Sequence, residues 1–179
     1  MKCARFLLPL LVWLSACGGP VSQPEIPVGT GQDERTAPVS GVLPSGEKTR
    51  VGGGRGAVTV LVFYRGSGCG LCRAQLERIQ SNLPAYSRLD ASVVALTLDP
   101  PASTAALLES LPLDFPILSV DTAVFEEWGV LEAGREAPLP ATFVLDGEGV
   151  VRYRYIGRNA GDRALDAEVL TAIQLFEDH

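Results

Sequence analysis

The sequence predicts an α/β domain, a mixed sheet with helices on both of its faces. From Val58 onward, apolar runs short enough to be buried strands alternate with segments of helical periodicity. Near the C terminus the order changes to strand, strand, helix, because Asp146-Gly147-Glu148-Gly149 separates two strand-like runs and reads as a tight hairpin. A β-α-β beginning and a β-β-α end make the sheet mixed rather than wholly parallel.

Taken in order, Val39 to Val51 carries Pro44-Ser45-Gly46 at its middle and reads as a hairpin at the domain's edge. Gly52-Gly53-Gly54 is a loop, and no Gly-Lys-Ser/Thr follows to make it a phosphate cradle. Val58–Tyr64 is an apolar strand. Gly70–Leu83 is helical, with Cys72, Leu76, Ile79, Leu83 and Tyr86 on an inner stripe, and Pro84 is expected to end or bend it. Ser92–Leu98 is a strand, Ser103–Leu111 a short helix, Phe115–Val120 a strand, and Thr122–Trp128 a further helical piece. Ala141–Leu145 and Val150–Ile156 flank the hairpin turn. Asp162 is the expected N-cap of a last helix that turns Leu165, Val169, Ala172 and Phe176 inward.

The 179 residues leave room for this domain and something short. Lys2 and Arg5 followed by an apolar run from Phe6 to Leu14 have the form of a signal peptide, and the run is too short to span a bilayer. Leu14-Ser15-Ala16-Cys17 resembles the bacterial lipobox, which implies cleavage before Cys17 and lipidation of its thiol. A plain secretory signal with a spare cysteine is the alternative. The expected organisation is therefore a signal peptide over 1–16, a lipidated Cys17 with a Gly/Pro/Ser-rich tether over 17–38, and a domain over 39–179. Gly18 and Gly19 follow Cys17 without an Asp retention signal, so the expected address is the periplasmic face of a bacterial envelope. In a cell with two membranes, that favours the outer one.

Loss of Lys2 and Arg5 leaves 13 basic against 21 acidic side chains, a net charge of −8. That balance argues against nucleic acid as a partner. The single histidine is His179, the last residue, which argues against a His-based triad or a His-rich metal site. Of the four cysteines, Cys3 leaves with the signal and Cys17 takes lipid, so Cys69 and Cys72 remain as a pair in an oxidising compartment.

That pair carries the chemistry. Cys69-Gly70-Leu71-Cys72 follows a strand and opens a helix, whose unpaired N–H groups and dipole stabilise a thiolate. Cys72 belongs to the inner stripe and is the shielded, resolving thiol. Cys69 lies near the N-cap and is the nucleophile. Arg65 and Arg73 are close enough in sequence to lower its pKa, or are simply solvated. Zinc would need further ligands that the chain supplies poorly, and an inert disulfide is the other structural alternative. No cofactor is called for.

The segment Phe63-Tyr64-Arg65-Gly66-Ser67-Gly68-Cys69-Gly70-Leu71-Cys72-Arg73 resembles the active-site stretch of the thioredoxin-like superfamily. The likeness is to its peroxiredoxin-like AhpC/TSA (redoxin) branch and to membrane-tethered ResA/TlpA-type oxidoreductases. Pro138-Leu139-Pro140-Ala141-Thr142-Phe143-Val144-Leu145-Asp146 resembles the stretch that carries a cis-proline facing the cysteines, and Phe115 to Val130 resembles the peroxiredoxin-like middle segment. The resemblance implies a thioredoxin-like fold, a cis Leu139–Pro140 bond against Cys69, and a preceding backbone that pairs with an incoming peptide.

Departures from the family bear on the activity. Aligned on Phe63-Tyr64, Cys72 falls at the peroxidatic position of peroxiredoxins and Cys69 at their Thr. Arg65 stands at their loop Pro, and Pro140 at their Arg. The peroxide-activating set is missing while the dithiol is complete. Phe63 occupies the place of thioredoxin's buried acid, which leaves the proton acceptor for Cys72 unassigned; Glu77 is the nearest helical carboxylate. The reading expected is an extracytoplasmic thiol–disulfide oxidoreductase acting on protein thiols and disulfides with a redox partner protein. A thiol peroxidase acting on hydroperoxides and a non-catalytic redox-fold binding module are the alternatives.

Overall fold

The computed structural model describes residues 34–54, 56–131 and 137–177. The expected signal peptide, the Cys17 anchor and the terminal His179 lie outside these residues.

Seven strands form one sheet. The N-terminal hairpin joins β1 (Val39–Val42) to β2 (Lys48–Val51), with Val39 opposite Val51. β3 (Val58–Phe63), β4 (Ala91–Thr97) and β5 (Ile117–Ser119) run parallel, while β6 (Ala141–Leu145) and β7 (Val151–Ile156) add antiparallel to the free side of β3. The order β2-β1-β5-β4-β3-β6-β7 makes the sheet mixed, as predicted. The helices are α1 (Gly70–Ser87), α2 (Pro101–Ser110), α3 (Thr122–Glu127) and α4 (Asp166–Glu177).

Apart from Thr59, β3 is apolar because both of its faces are covered. Val58, Val60, Val62 and Tyr64 pack with Cys72, Leu76, Ile79 and Tyr86 of α1 and Val169 and Ile173 of α4. Leu61 and Phe63 point the other way, toward Phe125, Trp128 and Phe143. There the Phe63 ring lies 5.1 Å edge-on to Phe125 and 5.5 Å from Phe143 between centroids. Such offset aromatic pairs add about 1 kcal/mol each beyond simple burial.

Two helical expectations change. α1 runs through Pro84 to Ser87. Pro84 is exposed, so the carbonyl it leaves unpaired sits on the watery side, and the buried Tyr86 beyond it holds the last turn by donating from its hydroxyl to Asp166 (3.1 Å). Asp162 does not cap α4. The helix begins at Asp166, and the Leu165 carbonyl accepts from the Val169 N–H. Leu165 consequently stands 56% exposed, and the inner face is Val169, Ala172, Ile173 and part of Phe176.

Candidate active site

The cysteine loop is built at the end of β3, between the sheet and the start of α1. The Tyr64 N–H still donates to the Leu96 carbonyl as a sheet bond (3.0 Å), and the chain then turns away. Asp99, just past β4, accepts from the Ser67 N–H at 2.5 Å and ties the loop to the neighbouring strand. Gly66 has φ +149°, and a Cβ on it would lie 3.0 Å from Asp99 Oδ1. A side chain there would strain the backbone and press on the carboxylate that holds the loop.

Cys69 is the N-cap residue of α1, with extended backbone, and its carbonyl accepts from Cys72 N–H (2.9 Å) and Arg73 N–H (3.0 Å). Its thiol is partly exposed, whereas Cys72 is fully buried beside Leu76. Both are free thiols. The environment separates their acidities. Partial burial acts to raise the Cys69 pKa, but the Cys72 thiol, acting as a hydrogen-bond donor, and the nearby Cys72 backbone N–H favour its thiolate. With the nearby positive charges of Arg163 and Arg65, these bring it below the ordinary thiol value. Cys72 moves the other way. Burial raises it first, and donation to the Cys69 thiolate adds to that, against the opposing Arg65 backbone N–H and Arg163 guanidinium. The outer sulfur is thus the acidic one and the inner sulfur its donor.

Sequence reasoning places the two cysteines together and leaves Arg65 and Arg73 either lowering the Cys69 pKa or solvated; the Arg65 charge does act to lower it. Arg73 instead donates to Ser110 Oγ of α2 (3.0 Å), and Glu77 is exposed. Phe63 does not lie beneath the pair, since it faces the aromatic cluster on the opposite side of the sheet. The β3-end residue that shares the Cys72 cluster is Tyr64, fully buried, its hydroxyl beside those of Ser67 and Thr97 and its pKa pushed up to about 12, chiefly by burial. It is a neutral phenol at physiological pH and no proton acceptor for Cys72.

The cis expectation at Pro140 is overturned. No described peptide bond is cis, so Leu139–Pro140 is trans. Hydrogen bonds hold both sides of the imide in extended register. The Leu139 N–H donates to the Val130 carbonyl (2.8 Å), and the Pro140 carbonyl accepts from the Gly157 N–H (2.8 Å). The Leu139 N–H is therefore already used and is not free to pair with an incoming peptide. Pro140 is buried one step before Ala141, which pairs with Phe63, so it sits at the same end of the sheet as the cysteine loop.

Arg163 is the residue that sequence reasoning misses. It lies in the segment between β7 and α4, and its Nη2 donates to Cys72 Sγ at 3.3 Å. Its Nε donates to Gln75 Oε1 (2.8 Å), and its Nη1 donates to the Ala160 carbonyl. The segment is organised by Asp162, whose carboxylate accepts from the Tyr155 hydroxyl, the Arg158 N–H (3.0 Å) and Arg158 Nε (2.8 Å). Gly157 opens it, and a Cβ there would collide with the Asp162 carbonyl oxygen. No local pattern signals this role, because Arg163 is 91 residues from Cys72 in sequence. Among the described residues, no group of three or more His, Cys, Asp or Glu side chains is placed to hold a metal ion.

An accessible acidic thiol beside a buried thiol donor can carry reversible sulfur chemistry. Comparison with known proteins agrees in kind. The AhpC/TSA family pattern matches residues 39–154. Alkyl hydroperoxide reductase E of Mycobacterium tuberculosis is 30% identical over 105 residues, covering 56% of this chain and 69% of that protein. The crystal structure of a peroxiredoxin-like protein from Aquifex aeolicus superimposes with a TM-score of 0.71 at 19% identity, over 83% of this chain and 90% of that one. A candidate thiol:disulfide interchange protein DsbE from Chlorobium tepidum gives 0.61 at 23% identity, over 79% and 97%. At those identities the structures speak for the fold alone, while the family match spans well over half the chain: it belongs to the AhpC/TSA family and is an oxidoreductase of thioredoxin-like fold.

Proposed function

We propose that the chain exchanges disulfides with protein substrates through Cys69 and Cys72, outside the cytoplasm and tethered to the membrane through a lipidated Cys17. The observation that carries the reading is the division of labour between the sulfurs, an acidified, accessible Cys69 whose buried neighbour Cys72 donates to it. The Cys69 thiolate attacks a substrate disulfide and expels one substrate sulfur. Cys72 then attacks Cys69 Sγ, closing the intramolecular disulfide and releasing the second. A redox partner protein restores the dithiol. Run backwards, the same steps insert a disulfide.

A second reading is favoured by the relationship to alkyl hydroperoxide reductase E. In it one thiolate of the pair, Cys69 by its acidity or Cys72 by its alignment with the peroxidatic position, attacks the peroxide O–O bond, leaving a sulfenic acid and an alcohol, and the other cysteine condenses with the sulfenic acid to give the disulfide and water. The reduced protein separates the two when assayed in parallel for reduction of insulin disulfides and consumption of an alkyl hydroperoxide. Fast insulin reduction with slow peroxide loss supports disulfide exchange, and the opposite pattern replaces it with peroxidase activity. The Cys72→Ser variant is expected to accumulate substrate proteins as mixed disulfides on Cys69. If the Cys69→Ser variant accumulates them instead, the assignment of roles is wrong.

A further inference from the structure

We propose that Arg163 is a catalytic residue of the resolving step, the cation that holds negative charge on Cys72 Sγ while that sulfur attacks the mixed disulfide. The proposal rests on the disulfide-exchange reading and supplies what that reading lacks, a reason for a buried thiol to ionise where no carboxylate among the described residues contacts it. Arg163 Nη2 lies 3.3 Å from Cys72 Sγ, within reach of an N–H···S bond. The guanidinium is aimed by two further contacts, from Nε to Gln75 Oε1 at 2.8 Å and from Nη1 to the Ala160 carbonyl. Gln75 is only 2% exposed and sits on α1 one turn after Cys72, so the helix that carries the sulfur also carries the anchor of its cation. Among the described residues the hydrogen-bond acceptors of Arg163 are Gln75 Oε1, the Ala160 carbonyl and Cys72 Sγ, so none of its hydrogen bonds is spent on a carboxylate.

Arginine stays protonated at any physiological pH and cannot act as the base. Its part is electrostatic. In a water-poor site a fixed cation favours the thiolate form of Cys72 and opposes the penalty that burial imposes on it. Cys72 gives up its proton to solvent, its thiolate forms the bond to Cys69 Sγ, the bond from Cys69 to the substrate sulfur breaks, and the departing substrate thiolate takes up a proton. Over the two exchange steps, two protein thiol sulfurs are oxidised to a disulfide as one substrate disulfide is reduced to two thiols, and the redox partner then re-reduces the protein pair. Arg163 also faces the outer sulfur at longer range, but Cys69 keeps the Cys72 backbone N–H and Arg65 as further support. Removing Arg163 should therefore harm the second step more than the first.

The test is a stopped-flow reaction of the reduced protein with Ellman's reagent, which releases one thionitrobenzoate when Cys69 attacks and a second when Cys72 resolves the adduct. In Arg163→Gln the second release is expected to slow about tenfold near neutrality, with its pH midpoint raised by about one unit and the rate recovering at alkaline pH, as loss of one close charge requires. The first release is expected to change less than threefold. Arg163→Lys, which restores charge without the fork, is expected to return the midpoint toward wild type. Gln75→Leu, which leaves Arg163 in place but removes its anchor, is expected to move it part of the way. An unchanged midpoint in Arg163→Gln, or a loss equal at every pH, overturns the role of Arg163. If Arg163→Gln does not fold, an unchanged midpoint in Gln75→Leu together with a wild-type-like rate in Arg163→Met does the same. Absence of a second release in the wild-type protein instead overturns the disulfide-exchange reading itself.

Discussion

Replacing Cys72 by Ala and by Ser separates two contributions to the acidity of Cys69. Alanine removes the side-chain donor that the Cys69 thiolate enjoys, while serine keeps a donor of similar reach. A hydrogen bond to a charged group contributes about 1.5–3 kcal/mol, and one pKa unit corresponds to about 1.4 kcal/mol. If fully shielded, Cys69 would therefore rise by about one to two units. Because Cys69 is partly open to water, the lower figure applies, about one unit. Nucleophilicity rises with pKa, with a slope of about 0.4–0.5 per unit, so the tenfold loss of thiolate below the midpoint is cut to roughly threefold in rate. The midpoint, not the neutral rate, is the informative readout. It is measured from the pH dependence of iodoacetamide alkylation of the single remaining active-site thiol. The Ala variant should titrate about one unit above the Ser variant. Superimposable profiles for the two variants would refute the claim that Cys72 donates to Cys69.

Asp166 is nearly buried and accepts from Arg78 Nε (3.0 Å), Asn82 Nδ2 (2.6 Å) and the Tyr86 hydroxyl (3.1 Å), so it joins α1 to α4. Asp166→Ala strands the buried Tyr86 hydroxyl and is expected to cost about 2 kcal/mol, a fall in Tm of roughly 4–8 °C by calorimetry. Gly157→Ala forces a Cβ against the Asp162 carbonyl oxygen and should displace the segment carrying Arg163. It is expected to lower the denaturant midpoint and to slow resolution of the Ellman adduct, and a wild-type resolving rate would count against the placement of that segment. Cys17→Ala is expected to move the protein from the membrane to the soluble fraction on cell fractionation. An unchanged distribution with a cleaved N terminus would dispose of the lipid anchor.

Much of the strand and helix order was legible in the chain because it rests on local rules. The apolar run of β3, the stripe from Cys72 to Tyr86, and the turn at Asp146–Gly149 each express a periodicity or a turn preference that operates over a few neighbours. The first and second cysteines could likewise be told apart, since N-cap position and inner-face position are properties of one helix. Even local signals misled where a tertiary contact competed. Asp162 looks like a cap but spends its carboxylate on Tyr155 and Arg158, and Leu165 looks like an inner-face residue but precedes the helix.

By itself, then, the sequence determined a dithiol at a strand-to-helix junction in an α/β domain, because the junction, the spacing and the helix face are all written within about twenty-five consecutive residues. Only the tertiary structure decided what surrounds the sulfurs. The sheet order brings Asp99 to the cysteine loop, sends Phe63 to the far face and Tyr64 to the near one, holds Leu139–Pro140 trans between Val130 and Gly157, and delivers Arg163 to Cys72. The contacts of Asp99 and Arg163 with the cysteine loop join residues 32 and 91 positions apart. Hydrogen bonds and charges act across a few ångströms of space, and no periodicity in a single chain records which distant residue will fill that space.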